Sequence, residues 1–294
     1  MSQTIANGIT IEYEQFGSPG NETLILVRGL GTQMIDWHSS LLQGLVTGGL
    51  HVVIFDNRDV GLSQKFTESG QPNMSNVRKG IEALAYDLTD MADDVIGLMD
   101  ALDITRAHVL GISMGGMIVQ LVAARYPDRL LSMMSVMSSS GKPGLPPPAP
   151  AAQRSLMATP DPAAGVDGII ASTAEGLLIV GGPQYPESLE ERTAIARHRY
   201  ERNYNPEGVA RQMAAVVRNG DRTALLKTIV IPTTVVHGED DPLIPVACGE
   251  DTASSIPGSV MIVVPGMGHA IPKSLVPEFI DIVQDHCERV RHTK

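Results

Sequence analysis

Gly111-Ile112-Ser113-Met114-Gly115 is the stretch on which the reading of this sequence turns. The apolar run Ala107–Leu110 leads into it, and a helical pattern from Met117 to Arg125 leads out. Gly-x-Ser-x-Gly between a strand and a helix forms a nucleophile elbow, with the serine hydroxyl exposed on a strained turn. Side chains at Gly111 or Gly115 would collide across such a turn, and Gly116 lets the helix start close to the sheet. The helix start also points free amides and a positive dipole end toward developing negative charge. The five-residue pattern alone is equally a glycine-bearing loop with an ordinary serine, so its surroundings have to decide.

Outward from the elbow, short apolar runs recur: Leu24–Val27, Val52–Phe55, Ala107–Gly111, Val136 with its neighbours, Thr233–Val236 and Met261–Val264. Such runs suit strands covered on both faces. Helical patterns separate them. The clearest is Leu88, Met91, Ala92, Val95, Leu98, Met99 and Leu102, opened by Asp87. At the N-terminus, Thr4–Ala6 and Ile9–Phe16 flank Asn7-Gly8, a hairpin signal. The expected fold is α/β, a mostly parallel, doubly covered sheet.

The alternation breaks once. Gly141-Lys142-Pro143-Gly144-Leu145-Pro146-Pro147-Pro148 is too proline-rich for helix or central strand. From about 150 to 222 only helical patterns occur, including Glu187–Tyr204 and Pro206–Asn219, and strands resume at Ile229–Val236. The expected organisation is a sheet core over 1–142, a helical cap over 143–222, and the rest of the core over 223–294. The cap is expected to be separable, so that its removal leaves a folded sheet domain.

Hydrophobic residues make up 43% of the 294, enough for one large core and a smaller appendage. The net charge of −11, with 22 basic residues scattered along the chain, argues against nucleic acid or an anionic membrane as partner. Cys248 and Cys287 have neither metal-ligand spacing nor the pattern of a disulfide framework, and are expected to be free and reduced. No basic segment followed by an apolar stretch opens the chain, and no apolar run approaches about 20 residues. A cytoplasmic protein without a membrane span is expected.

A serine nucleophile needs a base and an acid, which follow it in the order Ser, Asp or Glu, His on successive strand ends in this architecture. His269 follows Met261–Val264 through Pro265-Gly266-Met267-Gly268, a flexible loop end where the base belongs. His51, His108 and His237 fall in or beside strands, and His38, His198, His286 and His292 in helical patterns or the tail, so structural or solvated roles are expected for these seven. Thr233–Val236 leads into Glu239-Asp240-Asp241, three carboxylates for one role. Successive extended residues point opposite ways. Asp241 is the expected acid, ahead of Asp240, with Glu239 third. Two amides must face the oxyanion: Met114 N–H after the nucleophile, and Leu30 N–H in the loop Val27-Arg28-Gly29-Leu30-Gly31. That loop, with Asp56 ending the next strand, imitates a dinucleotide fingerprint, but Met34 stands where glycine or alanine is required. No cofactor and no metal are expected.

These segments, together with Phe55-Asp56-Asn57-Arg58-Asp59-Val60-Gly61-Leu62-Ser63, resemble the α/β-hydrolase superfamily over essentially the whole chain. Within it, the chain is similar to the esterase-like branch that contains aclacinomycin methylesterase. The resemblance implies an acid three residues after Gly238, which supports Asp241, and a structural charge pair at Asp56 and Arg58. Arg28 departs from the histidine common at its position. It is either braced by a nearby carboxylate or placed to recognise a polar or anionic substrate group. Relatives that open epoxides or remove halide use an aspartate nucleophile, which Ser113 argues against. The implied activity is carboxylic ester hydrolysis through an acyl-enzyme on a small, apolar ester. Perhydrolysis or carbon–carbon hydrolysis by the same triad is the alternative, and a hydrolase-like ligand receptor a more distant one. Met157 and Tyr185 in the cap are expected to serve packing rather than the pocket.

Overall fold

A computed structural model describes residues 1–158 and 162–292. Its centre is an eight-stranded sheet: β1 (Ser2–Ala6), β2 (Ile9–Phe16), β3 (Thr23–Val27), β4 (His51–Phe55), β5 (Ala107–Ile112), β6 (Leu130–Val136), β7 (Thr233–Gly238) and β8 (Val260–Val264). The spatial order is β1-β2-β4-β3-β5-β6-β7-β8. β2 runs antiparallel to β4, and from β4 to β8 every pairing is parallel. The opening hairpin turns at Asn7 (φ 49°) and Gly8 (φ 78°), the two positive angles its dipeptide supplies.

Alternation along the central strands divides the core into two layers. Ile25, Val27 and Val53 pack with Leu88, Met91, Val95, Ile118 and Val122 from helices Leu88–Ala101 and Met114–Arg125. Leu24, Leu26, Val52 and Ile54 face the other way, toward Leu41, Leu45, Phe279 and Val283 of helices Ser39–Thr47 and Val276–His292. Asp87 caps helix Leu88–Ala101 in a capping box with Asp90. Cys248 and Cys287 are free and buried, and among the described residues no helix is long and apolar enough to cross a membrane.

Between β6 and β7 lie helices Pro150–Met157, Gly165–Ile179, Leu189–Arg202 and Pro206–Asn219. Thr159, Pro160 and Asp161, inside the stretch read as helical, lie outside the described residues. Strand resumes at Thr233 rather than at Ile229. This helical segment is tied to the sheet core by buried and half-buried ion pairs: Arg199 Nε to Asp36 Oδ1 at 2.6 Å, Arg202 Nη2 to Asp56 Oδ2 at 2.7 Å, and Arg211 Nε to Asp59 Oδ2 at 2.8 Å. Asp56 and Asp59 are fully buried. Each carboxylate is also held from the core side: Asp36 accepts the Gln33 amide, Asp56 the Met34 and Leu62 amides, and Asp59 the Phe66 amide and the Tyr86 hydroxyl. Helical patterning announces the segment, but not the charge pairs that weld it to the core.

Candidate active site

The strand-to-helix turn is built as its glycines require. Ser113 directly follows β5 with φ 55° and ψ −121°, a conformation that costs free energy for any residue with a Cβ. A Cβ on Gly111 would lie 2.0 Å from the Gly115 carbonyl oxygen, and one on Gly115 would lie 2.2 Å from that of Val27. A Cβ on Gly116 would meet the Cβ of Ser138 at 2.5 Å. The Ser113 backbone is held by its N–H to Val136 O (2.9 Å) and by the Ser138 hydroxyl donating to its carbonyl (2.8 Å).

Beyond β8, Pro265–Gly268 delivers His269 above the same sheet edge. Its Nδ1 lies 2.7 Å from Asp241 Oδ2. A carboxylate only accepts, so the Nδ1 proton is donated and the neutral ring keeps its lone pair on Nε2. The other oxygen, Asp241 Oδ1, accepts the Leu243 and Ile244 amides, both at 2.8 Å. Burial would raise the Asp241 pKa, but His269, His237 and the Ile244 amide outweigh it and hold the carboxyl below its ordinary range. Asp240 and Glu239 are exposed. Of the three competing carboxylates, Asp241 is the one beside the histidine.

Ser113 and His269 line one cavity of about 650 Å³. No hydrogen bond joins Ser113 Oγ to His269 Nε2, and such contacts commonly tighten only once substrate is in place. A Cβ on Gly29 would lie 3.0 Å from the Ser113 Cβ, so the Gly29-Leu30 loop runs directly against the serine. Among the described residues neither the Leu30 nor the Met114 amide donates a hydrogen bond. Asp56, the acidic position of the apparent dinucleotide fingerprint, is taken by the Met34 and Leu62 amides and by Arg202.

Asp56 and Arg58 do not pair with each other. Arg58 makes a bidentate pair with Asp94, with contacts of 2.7 and 2.6 Å, while Asp56 turns to Arg202. Arg28 is buried. Its Nε donates to Thr32 Oγ1 at 3.3 Å, its guanidinium lies 4.6 Å above the Trp37 ring, and among the described residues no carboxylate is within 4.0 Å.

The helical segment contributes Leu156, Leu177, Val180, Ile195, His198, Met213 and Val216 to the cavity wall, whereas Met157 and Tyr185 do not line it. It also holds both loops that frame the serine. Val180 O accepts the His269 amide at 2.7 Å, and Gln212 Oε1 accepts the Gly31 amide at 2.9 Å. Sequence reasoning missed these supports. Of the histidines expected to be structural or solvated, His38 is half-buried and His198 exposed, and both line the cavity. His51, His108 and His286 do sit in buried hydrogen bonds with Thr23, Ser132 and Thr234.

A sheet of this order, carrying a serine elbow, an Asp–His pair and two free amides around one cavity, defines an α/β-hydrolase. The family model described as alpha/beta hydrolase fold matches residues 22–273, and the chain belongs to that family and is a hydrolase. The "Putative carbamate hydrolase RutD" of Pantoea ananatis is 26% identical to it, over 91% of this chain and 89% of that protein. Rhodomycin D methylesterase DauP of Streptomyces sp. (strain C5) is 24% identical over 90% of each chain. The enol-lactonase of Burkholderia xenovorans LB400 superposes with a TM-score of 0.74 at 22% identity, covering 97% of this chain and 99% of that one.

Proposed function

We propose that the enzyme hydrolyses a carboxylic ester through an acyl-enzyme on Ser113. The observation that carries this reading is the 2.7 Å contact of Asp241 with His269 at the cavity that Ser113 lines. His269 Nε2 takes the hydroxyl proton as Ser113 Oγ attacks the ester carbonyl. The oxyanion forms against the Leu30 and Met114 amides, which have no acceptor to give up among the described residues. Asp241 keeps the imidazole turned and stabilises its charged form; His269 then protonates the leaving alcohol. In the second half, water gives its proton to His269 and attacks the acyl carbonyl, releasing the acid and the serine.

In this proposal residues 143–222 act as a cap that closes the apolar cavity over the elbow and sets which esters fit. Carbamates and lactones, suggested by the names of similar proteins, would place a comparable carbonyl before the same serine. The test is turnover of a panel of activated esters, lactones, carbamates and vinylogous diketones by wild type and by Ser113→Ala. Esters are expected to be the best substrates, with kcat lowered about 10³-fold or more in the variant at unchanged Tm. A variant within tenfold of wild type, or esters ranking below the diketones, would overturn the proposal.

A further inference from the structure

Three guanidinium groups, Arg28, Arg192 and Arg199, line the largely apolar cavity beside Asp36, His38, His198 and His269. Two have partners, Arg192 in Glu187 and Arg199 in Asp36. Arg28 has none of opposite charge within 4.0 Å among the described residues, although it is only 9% exposed. Asp36 contacts Arg199 directly and acts on Arg28 only through space. Its Oδ1 is taken by Arg199 and its Oδ2 by the Gln33 amide. Beneath Arg28, the indole N–H of Trp37 is also buried with no acceptor. Buried donors go unpaired rarely, and an unpaired buried cation is costly.

The local field agrees with the geometry. Burial, against the opposing pull of Asp36, brings the Arg28 pKa down to about 10, so the group stays charged at neutral pH. The His38 imidazole is held below its ordinary pKa by burial and then by the charges of Arg28 and Arg192. Of the three guanidinium groups, Arg28 alone has no carboxylate in contact among the described residues, and its planar fork is suited to one.

We infer that the substrate is a monoanionic ester, a half-ester of a dicarboxylic acid or its equivalent, whose free carboxylate pairs with Arg28 while its apolar body fills the cavity. This rests on the ester-hydrolase reading and refines its expectation of an apolar substrate: apolar along its length, with an anion at one point. Recognition is thereby distinct from the chemistry, which is ordinary ester hydrolysis to acid and alcohol.

The chain's single tryptophan is Trp37, so its emission reports on the ring under Arg28 without requiring turnover. The experiment titrates the Ser113→Ala protein with monomethyl esters of the succinate-to-suberate series and with the matching dimethyl esters, following Trp37 fluorescence. At the best chain length the monoester is expected to bind ten- to a hundredfold more tightly than its neutral diester, the range for a charge-assisted contact. In the Arg28→Met background this ratio is expected to collapse to one or below, and Arg28→Lys to keep part of it. A ratio at or below one throughout the series overturns the inference, as does a preference that persists in Arg28→Met. Should Arg28→Met fail to fold, the monoester-to-diester ratio with Arg28 intact decides alone. Binding is read in a protein that lacks Ser113, so a failure of ester turnover in the wild type would count against the hydrolytic proposal without touching this result.

Discussion

Replacing Asp241 by asparagine reverses the imidazole without emptying its surroundings. Asp241 Oδ1 accepts two backbone amides at 2.8 Å, from Leu243 and Ile244. An asparagine keeps those bonds only by placing its carbonyl oxygen there, which leaves its NH2 facing His269 Nδ1, now 2.7 Å from a carboxylate oxygen. Two donors cannot face each other, so Nδ1 must give up its proton and Nε2 must carry it. A protonated Nε2 cannot accept the serine proton, and the imidazolium of the transition state loses its anion. The same exchange in a serine protease triad costs about 10⁴-fold in kcat, equivalent to about 5.5 kcal/mol of barrier. Asp240→Asn changes an exposed side chain whose backbone amide alone is engaged, donating to Met267 O at 3.0 Å, and kcat should stay within about twofold. Initial rates on a soluble activated ester, with Tm measured on each variant, supply the test. A tenfold or smaller loss in Asp241→Asn with an intact fold would refute the tautomer argument, and a collapse in Asp240→Asn would move the acid to that residue.

The buried pair of Arg211 with Asp59 gives a second expectation: Arg211→Met should cost about 3–5 kcal/mol in urea unfolding by leaving Asp59 an uncompensated buried charge, and a loss below 1 kcal/mol would show the segment is not welded to the core as described. Deleting 143–222 outright should then yield no folded sheet domain by near-ultraviolet circular dichroism. A third concerns acid. Burial, then the charges of His108 and Arg289, pull the His286 pKa down to about 3 from an ordinary 6.5. Below pH 6.5 the unfolded chain binds this proton and the folded chain does not, so stability should fall by about 1.4 kcal/mol per pH unit on this group's account as pH drops from 6.5 toward 3. His286→Gln should flatten the urea-stability slope between pH 6.5 and 5 by that amount. An unchanged slope would exclude His286 as its source.

What was legible in the sequence is local. The Gly111–Gly115 turn announces itself because only glycine fits backbone oxygens approaching within about 2 Å of its Cβ positions. His269 and Asp241 follow from the same logic, since strand ends place their loops on one edge. Long-range pairings were not legible. A helical pattern over Glu187–Tyr204 shows which residues share a face, but not that Arg199 and Arg202 reach Asp36 and Asp56. The charge pair expected at Asp56 and Arg58 was misread for this reason, because each finds its partner on a distant helix. The position of His38 and His198 on the cavity wall was hidden similarly: it depends on where whole elements sit, and nothing around them in the chain marks it.

The central claim is that Ser113 becomes acylated, and mass spectrometry of the enzyme quenched during turnover tests it directly. Mixed with excess p-nitrophenyl acetate and stopped in acid within the first turnovers, the intact protein is expected to gain one acetyl group. Peptide mapping should place that group on Ser113, and Ser113→Ala should gain none there. Acetylation confined to another residue, or turnover that proceeds at the wild-type rate in Ser113→Ala, would contradict the account.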